Sequence, residues 1–167
     1  LHALGMAACA GLLLVAAAPT HAALDQAVLV QLGADDSDAR VEAIRRIVAT
    51  EDARAGIVLQ ALGDDALALI EDGKRAVIVA DGRISDAATG AAIGPAPANL
   101  ETLVVNNRLR GEIGAALAAL KLGSPDRRTR LAAARELQGS DNEDALPILE
   151  RALAKESDKA VKSILAL

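Results

Sequence analysis

Apolar residues along the chain fall into three stretches that differ in period. From Leu24 to Leu62 they recur at helical spacing. A short helix is predicted over Leu24 to Leu32, stopped by Gly33. A second begins near Asp36 or Ser37 and carries Val41, Ile44, Ile47 and Val48. A third runs from about Ala53 to Leu62, with Ile57, Val58, Leu59 and Leu62 as its apolar residues, and stops at Gly63. From Asp64 to Pro97 the period changes. Arg75-Ala76-Val77-Ile78-Val79 is a short β-prone run between two Asp-Gly pairs, Asp72-Gly73 and Asp81-Gly82. Both residues of such a pair tolerate the positive φ of a type I′ hairpin turn. Thr89-Gly90 marks a further turn before Ala91 to Ile93. This stretch predicts a small β-meander of three or four short strands, with Gly94 to Asn99 as a connector.

Helical spacing then returns. Asn106 or Asn107 is placed to cap a helix whose stripe is Leu109, Ile113, Ala116, Leu117 and Leu120, ending at Gly123. Ser124-Pro125 opens the next helix, with Ser as N-cap and Pro at the first helical position, and Leu131, Ala134 and Leu137 form its stripe. Ser140 with Glu143 fits a capping box. Pro147 requires the following helix to start no earlier than about Asp144, and Ile148, Leu149, Ala152 and Leu153 are its inward positions. A last helix starts near Ser157 or Asp158 and carries Val161, Ile164 and Leu165.

The two helical stretches are copies of one plan. A shift of 90 residues carries Arg40-Val41 onto Arg130-Leu131, Ala43 onto Ala133, Arg45 onto Arg135 and Ile47 onto Leu137. The same shift carries Ala55 onto Ala145, Val58 onto Ile148 and Leu59 onto Leu149. Each unit reads as a helical hairpin of HEAT type, with an acidic opening turn, and a third partial unit begins at Asp158. The expected fold is therefore mostly α, made of HEAT-like hairpin repeats around a small β-meander insert. Its parts are a segment 1–22, a first helical block 23–63, the insert 64–97 and a second helical block 98–167.

Composition narrows the chemistry. The chain holds no Phe, Trp or Tyr, and its single Cys, single Met and two His (Cys9, Met6, His2, His21) all lie in the first 22 residues. Ala3 to Ala18 in that segment is an apolar run of signal-peptide length, short for a membrane span. Pro19 breaks it, and Thr20-His21-Ala22 places small residues at a cleavage site. It reads as a secretory signal, with a short uncleaved anchor as the alternative. Cys9 does not suit a lipoprotein signal, because the apolar run follows it. With the signal removed, there is no His base, Cys nucleophile or Tyr acid, no His/Cys zinc site and no aromatic platform for bases or sugars. A net charge of −5 disfavours nucleic acid and anionic membrane surfaces as partners.

The remaining polar clusters have ordinary explanations beside the chemical ones. Asp35-Asp36-Ser37-Asp38 lacks the Gly and distal Glu of an EF-hand loop and reads as an acidic helix start; Asp141, Glu143 and Asp144 read the same way. Lys159 and Ser163, four apart, read as a solvated helix face sooner than a Ser–Lys dyad. Arg127, Arg128 and Arg130, with Arg108 and Arg110, either meet an acidic partner or form ion pairs along the helices. Gly90 to Gly94 is no phosphate loop, since no Lys-Ser/Thr follows. No catalytic, metal or cofactor-binding residue is expected, and the chain reads as a non-enzymatic module.

The order of the segments is more distinctive than any one of them. "DAATG" at Asp86 to Gly90, "VNNRLR" at Val105 to Arg110 and "SPDRRTRLAAAREL" at Ser124 to Leu137 follow the first helical block, and "ALPILERAL" closes the series. This order resembles the N-terminal extracytoplasmic region of the urea ABC transporter permease, a relative of the branched-chain amino acid permeases. The resemblance covers essentially the whole chain after residue 22. In that family the region precedes a multi-span membrane domain that forms the urea path with a sister permease, driven by cytoplasmic ATPases and supplied by a urea-binding protein. The resemblance thus implies a domain on the periplasmic side of the bacterial inner membrane, non-catalytic, with the urea-binding protein and the sister permease as protein partners. Asn106, Asn107, Arg108 and Arg110 are the candidate partner-binding residues; helix capping and intramolecular bonding are their alternative role. A stand-alone secreted HEAT-repeat adaptor is the alternative reading of the chain.

Overall fold

The computed structural model describes residues 24–50, 52–138 and 146–166, with side chains left aside at 146–148. The expected signal, the Ser140–Glu143 capping box and the acidic residues Asp141, Glu143 and Asp144 lie outside the described residues. The first block is α1 (Gln26–Val30), which continues as a 3-10 turn (Gln31–Gly33), then α2 (Ser37–Ala49) and α3 (Ala55–Gly63). The sheet follows: β1 (Leu67–Ile70), β2 (Arg75–Ala80), β3 (Arg83–Asp86), β4 (Ala92–Pro95) and β5 (Glu101–Thr102). The second block is α4 (Asn107–Leu122), α5 (Arg127–Gln138), α6 (Leu146–Lys155) and α7 (Lys159–Leu165). The protein is thus mostly helical, with a small antiparallel sheet between two helical blocks.

The sheet is larger than the sequence suggests. Its order is β4-β3-β2-β1-β5, so β1 to β4 form a meander and β5 returns to the free edge of β1. That return moves the end of the β region from Pro97 to Thr102. A two-residue strand carries no period for a pattern to catch. Side chains alternate as a two-sided sheet demands. Leu67, Leu69 and Ala76 join the main core, while Ala68, Val77 and Ile84 form a second cluster on the other face. The connector after β4 folds over that second face and covers it with Ala96 and Leu100. Asp81-Gly82 makes the expected two-residue turn, with φ of 50° and 69° between the paired Ala80 and Arg83. The other hairpin differs. Ile70 pairs with Arg75 across four residues, and Glu71, Asp72 and Gly73 all have positive φ.

The three glycines expected at helix ends stand there, each for a different local reason. Gly33 sits where a Cβ would lie 2.7 Å from the Leu69 side chain, so close packing selects it. Gly63 is still inside α3. The left-handed residue that ends this helix is Asp65, at φ 54°, with Ala66 donating to the Ala61 carbonyl at 2.8 Å and Asp65 to that of Leu62 at 3.3 Å. Gly123 caps α4 with an ordinary right-handed φ of −81°. Other starts agree with expectation: Asp36 caps α2 through the Ala39 amide, and Asp158 caps α7 through the Ala160 and Val161 amides. The start of α5 is a correction. Asp126, not Ser124, accepts the Thr129 amide at 2.9 Å, while the Ser124 hydroxyl accepts from Asp126, and Pro125 stays outside the helix. A charged carboxylate at a helix start gains from the macrodipole as well as from the hydrogen bond. Asp36 and Asp126 correspond under the 90-residue shift. Ile57, expected among the apolar positions of α3, faces solvent.

Helix α4 joins the two helical blocks. Leu109 and Ile113 are buried in the main core, with Ala116, Leu117 and Leu120 packed against it. Leu122 is buried in a second helical core with Ala133, Ala134, Leu137, Val161 and Leu165, and Ala118 packs there too. At 100° per residue, Leu120 and Leu122 fall on nearly opposite sides of the helix. The stripe read from the sequence is thus one of two that α4 carries. Val41 and Ile47 are buried on the first core, and Leu137, with the half-buried Leu131, on the second.

Two substitutions in α4 test this arrangement by guanidinium unfolding. Leu109→Ala empties a fully buried site and is expected to cost about 2–5 kcal/mol. Gly114→Ala is expected to stabilise by about 0.5–1 kcal/mol, because a Cβ there meets no neighbouring atom and alanine is the better helix former.

Candidate interaction site

Three places gather polar side chains, and two of them hold the fold together. The first is the segment that opens α4. Asn106 is its N-cap, its Oδ1 accepting the Leu109 amide at 2.9 Å. Arg108 reaches back to Asp38 in the first turn of α2, at 2.6 Å. Arg110 donates to the Gly63 carbonyl at 3.1 Å and to Asp65 at 3.3 Å, so its charge sits at the C-terminal end of α3. Asn107, in the first turn, is exposed. The four sequence candidates therefore lie together, and three of them pin α4 to itself, to α2 and to α3. Beside them Arg40 donates to the Val104 carbonyl at 2.9 Å, while its own Nε is buried without a partner. Val104 is 71% exposed between the buried Leu103 and Val105. Asp36 and Asp38, read as an acidic helix start, serve as a cap and an ion-pair partner.

The second place is the "DAATG" turn. Asp86 is buried, and its carboxylate accepts from Arg75 Nε and Nη2 at 3.0 and 2.8 Å, from Gln26 Nε2 at 3.1 Å, and from the Thr89 amide and hydroxyl at 2.8 and 3.0 Å. Burial pushes this carboxyl up, yet the Arg75 bond and those from Thr89 outweigh it and hold it below its ordinary value. Gln26 also accepts the Ala76 amide at 3.0 Å, tying α1 to β2. Arg54, ahead of α3, donates to the Ala87 carbonyl at 3.1 Å, and its guanidinium fills the space a Cβ at Gly90 would need. Gly90 has φ 78°, so both its backbone and that contact select glycine. The motif is thus a joint between sheet and helices.

The third place is an open groove of about 940 Å³ between the blocks. Its walls are the end of α2 with the turn into α3, the last turn of α4, the start of α5 and the end of α6. One rim is fixed by Arg130, which donates to Glu156 at 2.8 Å with both side chains largely buried, and to the Ser124 carbonyl at 2.9 Å. Arg127 bonds Asp158 at 2.6 Å. The basic cluster of the sequence is therefore divided: Arg127 and Arg130 bind α7 and its lead-in, Arg108 and Arg110 bind the first block, and Arg128 is exposed. The sequence reading missed Arg151 and Lys155, which line the groove. The signal for them was a like-charged pair four apart on the polar side of α6. Lys159 and Ser163 are both exposed on α7.

Among the described residues no group of three or more His, Cys, Asp or Glu is placed to hold a metal. No helix of the described residues is long and apolar enough to cross a membrane. Comparison of the chain with protein-family models, with curated proteins and with solved structures finds no match.

Two tests follow from these joints. Asp86→Ala removes the acceptor shared by Gln26, Arg75 and Thr89, which water can reach, and is expected to cost about 1–3 kcal/mol in guanidinium unfolding. The Arg127 bond and the capped amides hold the Asp158 carboxyl at about 2, below its ordinary 3.8; Glu156, beside Arg130, and Asp126, beside Thr129, are also lowered. A carboxyl more acidic in the folded than in the unfolded state stabilises fully above its unfolded pKa and ceases to do so as pH falls through the folded one. Thermal midpoints are therefore expected to drop as pH falls from about 4 towards 2, and Asp158→Asn to flatten that fall.

Proposed function

We propose that this chain is the extracytoplasmic N-terminal domain of a urea-type ABC permease, a non-catalytic module that docks the urea-binding protein or braces the permease in urea import. The observation that carries the reading is the ordered set of segments "DAATG", "VNNRLR" and "SPDRRTRLAAAREL". Their placement adds support. Asp86 to Gly90 joins the sheet to the helices, Asn106 to Arg110 ties α4 to the first block, and Asp126 to Arg130 starts the second. Residues used to hold a frame are suited to presenting a surface and not to turning over a substrate. The finer reading of the helical blocks as HEAT-type repeats belongs to the same proposal. It rests on the 90-residue correspondence, which extends to the capping residues Asp36 and Asp126.

Two measurements test the proposal. The reading frame after Leu167 is expected to encode several apolar spans of about 20 residues each. In cells carrying the whole permease, deleting residues 24–166 is expected to lower uptake of labelled urea at least about tenfold, the equivalent of about 1.4 kcal/mol of lost docking or bracing. A frame without membrane spans, or uptake that is unchanged in a deletion mutant with normal permease levels, overturns the assignment.

A further inference from the structure

We propose that the groove between the two helical blocks is a docking site for an acidic helical segment of a partner protein. The inference deepens the interaction-module reading and rests on it for the kind of partner. Charge carries the argument. The chain has a net charge of −5, yet the groove is lined by Lys121, Arg130, Arg151 and Lys155 against the carboxylates of Asp52 and Glu156. Arg130 is matched by Glu156, and Lys121 by Glu136 at 3.2 Å outside the groove. Asp52 accepts the Arg54 amide at 2.7 Å and keeps its charge, so the lining sets four cations against two carboxylates. Arg151 and Lys155 form no ion pair among the described residues, and both are exposed. Lys155 offsets the carbonyl end of α6, but Arg151 lies a turn further in, beyond the reach of that explanation.

The lining suits an amphipathic segment better than a small anion, because it carries apolar surface beside the cations. The floor holds small or aliphatic residues such as Gly56, Ala119, Leu120 and Ala152, which leave width and apolar surface. Such a segment lays an apolar face on the floor and points carboxylates at Arg151 and Lys155.

The test uses the whole chain and a fluorescein-labelled peptide about fifteen residues long, enough to hold a helix, with Glu opposite a Leu and Ala face. Its twin carries Lys for Glu, and a single-stranded oligonucleotide serves as a second anion. Fluorescence polarisation is expected to show binding of the acidic peptide alone, weakening as salt rises from about 0.05 to 0.5 M and the Debye length falls about threefold. Arg151→Glu with Lys155→Glu is expected to weaken it at least about tenfold, with the helical circular dichroism unchanged. Lys74→Glu with Arg83→Glu, a matched charge change in the sheet turns, is expected to leave it as it was. No binding, equal binding of the basic twin or the oligonucleotide, or binding indifferent to the α6 substitutions overturns the proposal. Urea uptake is read separately, so failure here and failure of the transport assignment are distinguishable.

Discussion

Helix α4 packs aliphatic side chains into two separate cores at once. Leu109, Ile113 and Leu120 belong to the core shared with α2 and α3, and Leu122 with Ala118 belongs to the core shared with α5. Each described core is built without aromatic rings, because the chain has none, and so from small groups at close range. Alanine does much of this: Ala43, Ala55, Ala76, Ala133 and Ala134 are all buried. Short side chains bring backbones together and keep contact dense without bulk. The same economy leaves the two blocks joined mainly along one helix, with an open groove beside the joint.

Around this strut the polar groups work as fasteners. Arg108, Arg110 and Asn106 hold the start of α4 to α2, to α3 and to its own first turn. Asp86 gathers Gln26, Arg75 and Thr89, and Arg54 meets the Ala87 carbonyl, so the sheet cannot slide on the helices without stranding the buried Asp86 carboxylate. Arg130 with Glu156, largely buried, fixes the second block. Breaking such a pair costs more than forming it gains, and it therefore serves to specify geometry. Among the described residues, the cations Arg151 and Lys155 of α6 line the groove without an ion pair.

The helical blocks were legible in the sequence because period and caps agree there. Val41, Ile44 and Ile47 repeat on one face, and Asp36 and Asp158 start their helices as expected. The second stripe of α4 was not, because Ala118 and Leu122 lie within a run rich in alanine and leucine, where period gives no preference for one face. The glycines marked the helix ends, but not the reason for each. Glycine marks both a left-handed stop and a close approach, and only the partner, Leu69 at Gly33, tells which applies. Strand β5 is two residues long and depends on β1 for its existence. At the candidate site the sequence singled out Asn106 to Arg110 as one segment. It could not show that their charges are matched by Asp38 and Asp65, which lie far away in the chain.

Exchange of backbone amides with deuterium, followed by mass spectrometry, addresses the central role of α4 most directly, since protection reports the free energy of local opening. If both cores close on this helix, the amides from Ile113 to Leu122 exchange with the slowest class in each block, and α5 and α7 open together with them. Fast exchange over the second half of α4, with the two blocks protected independently of each other, would contradict the account.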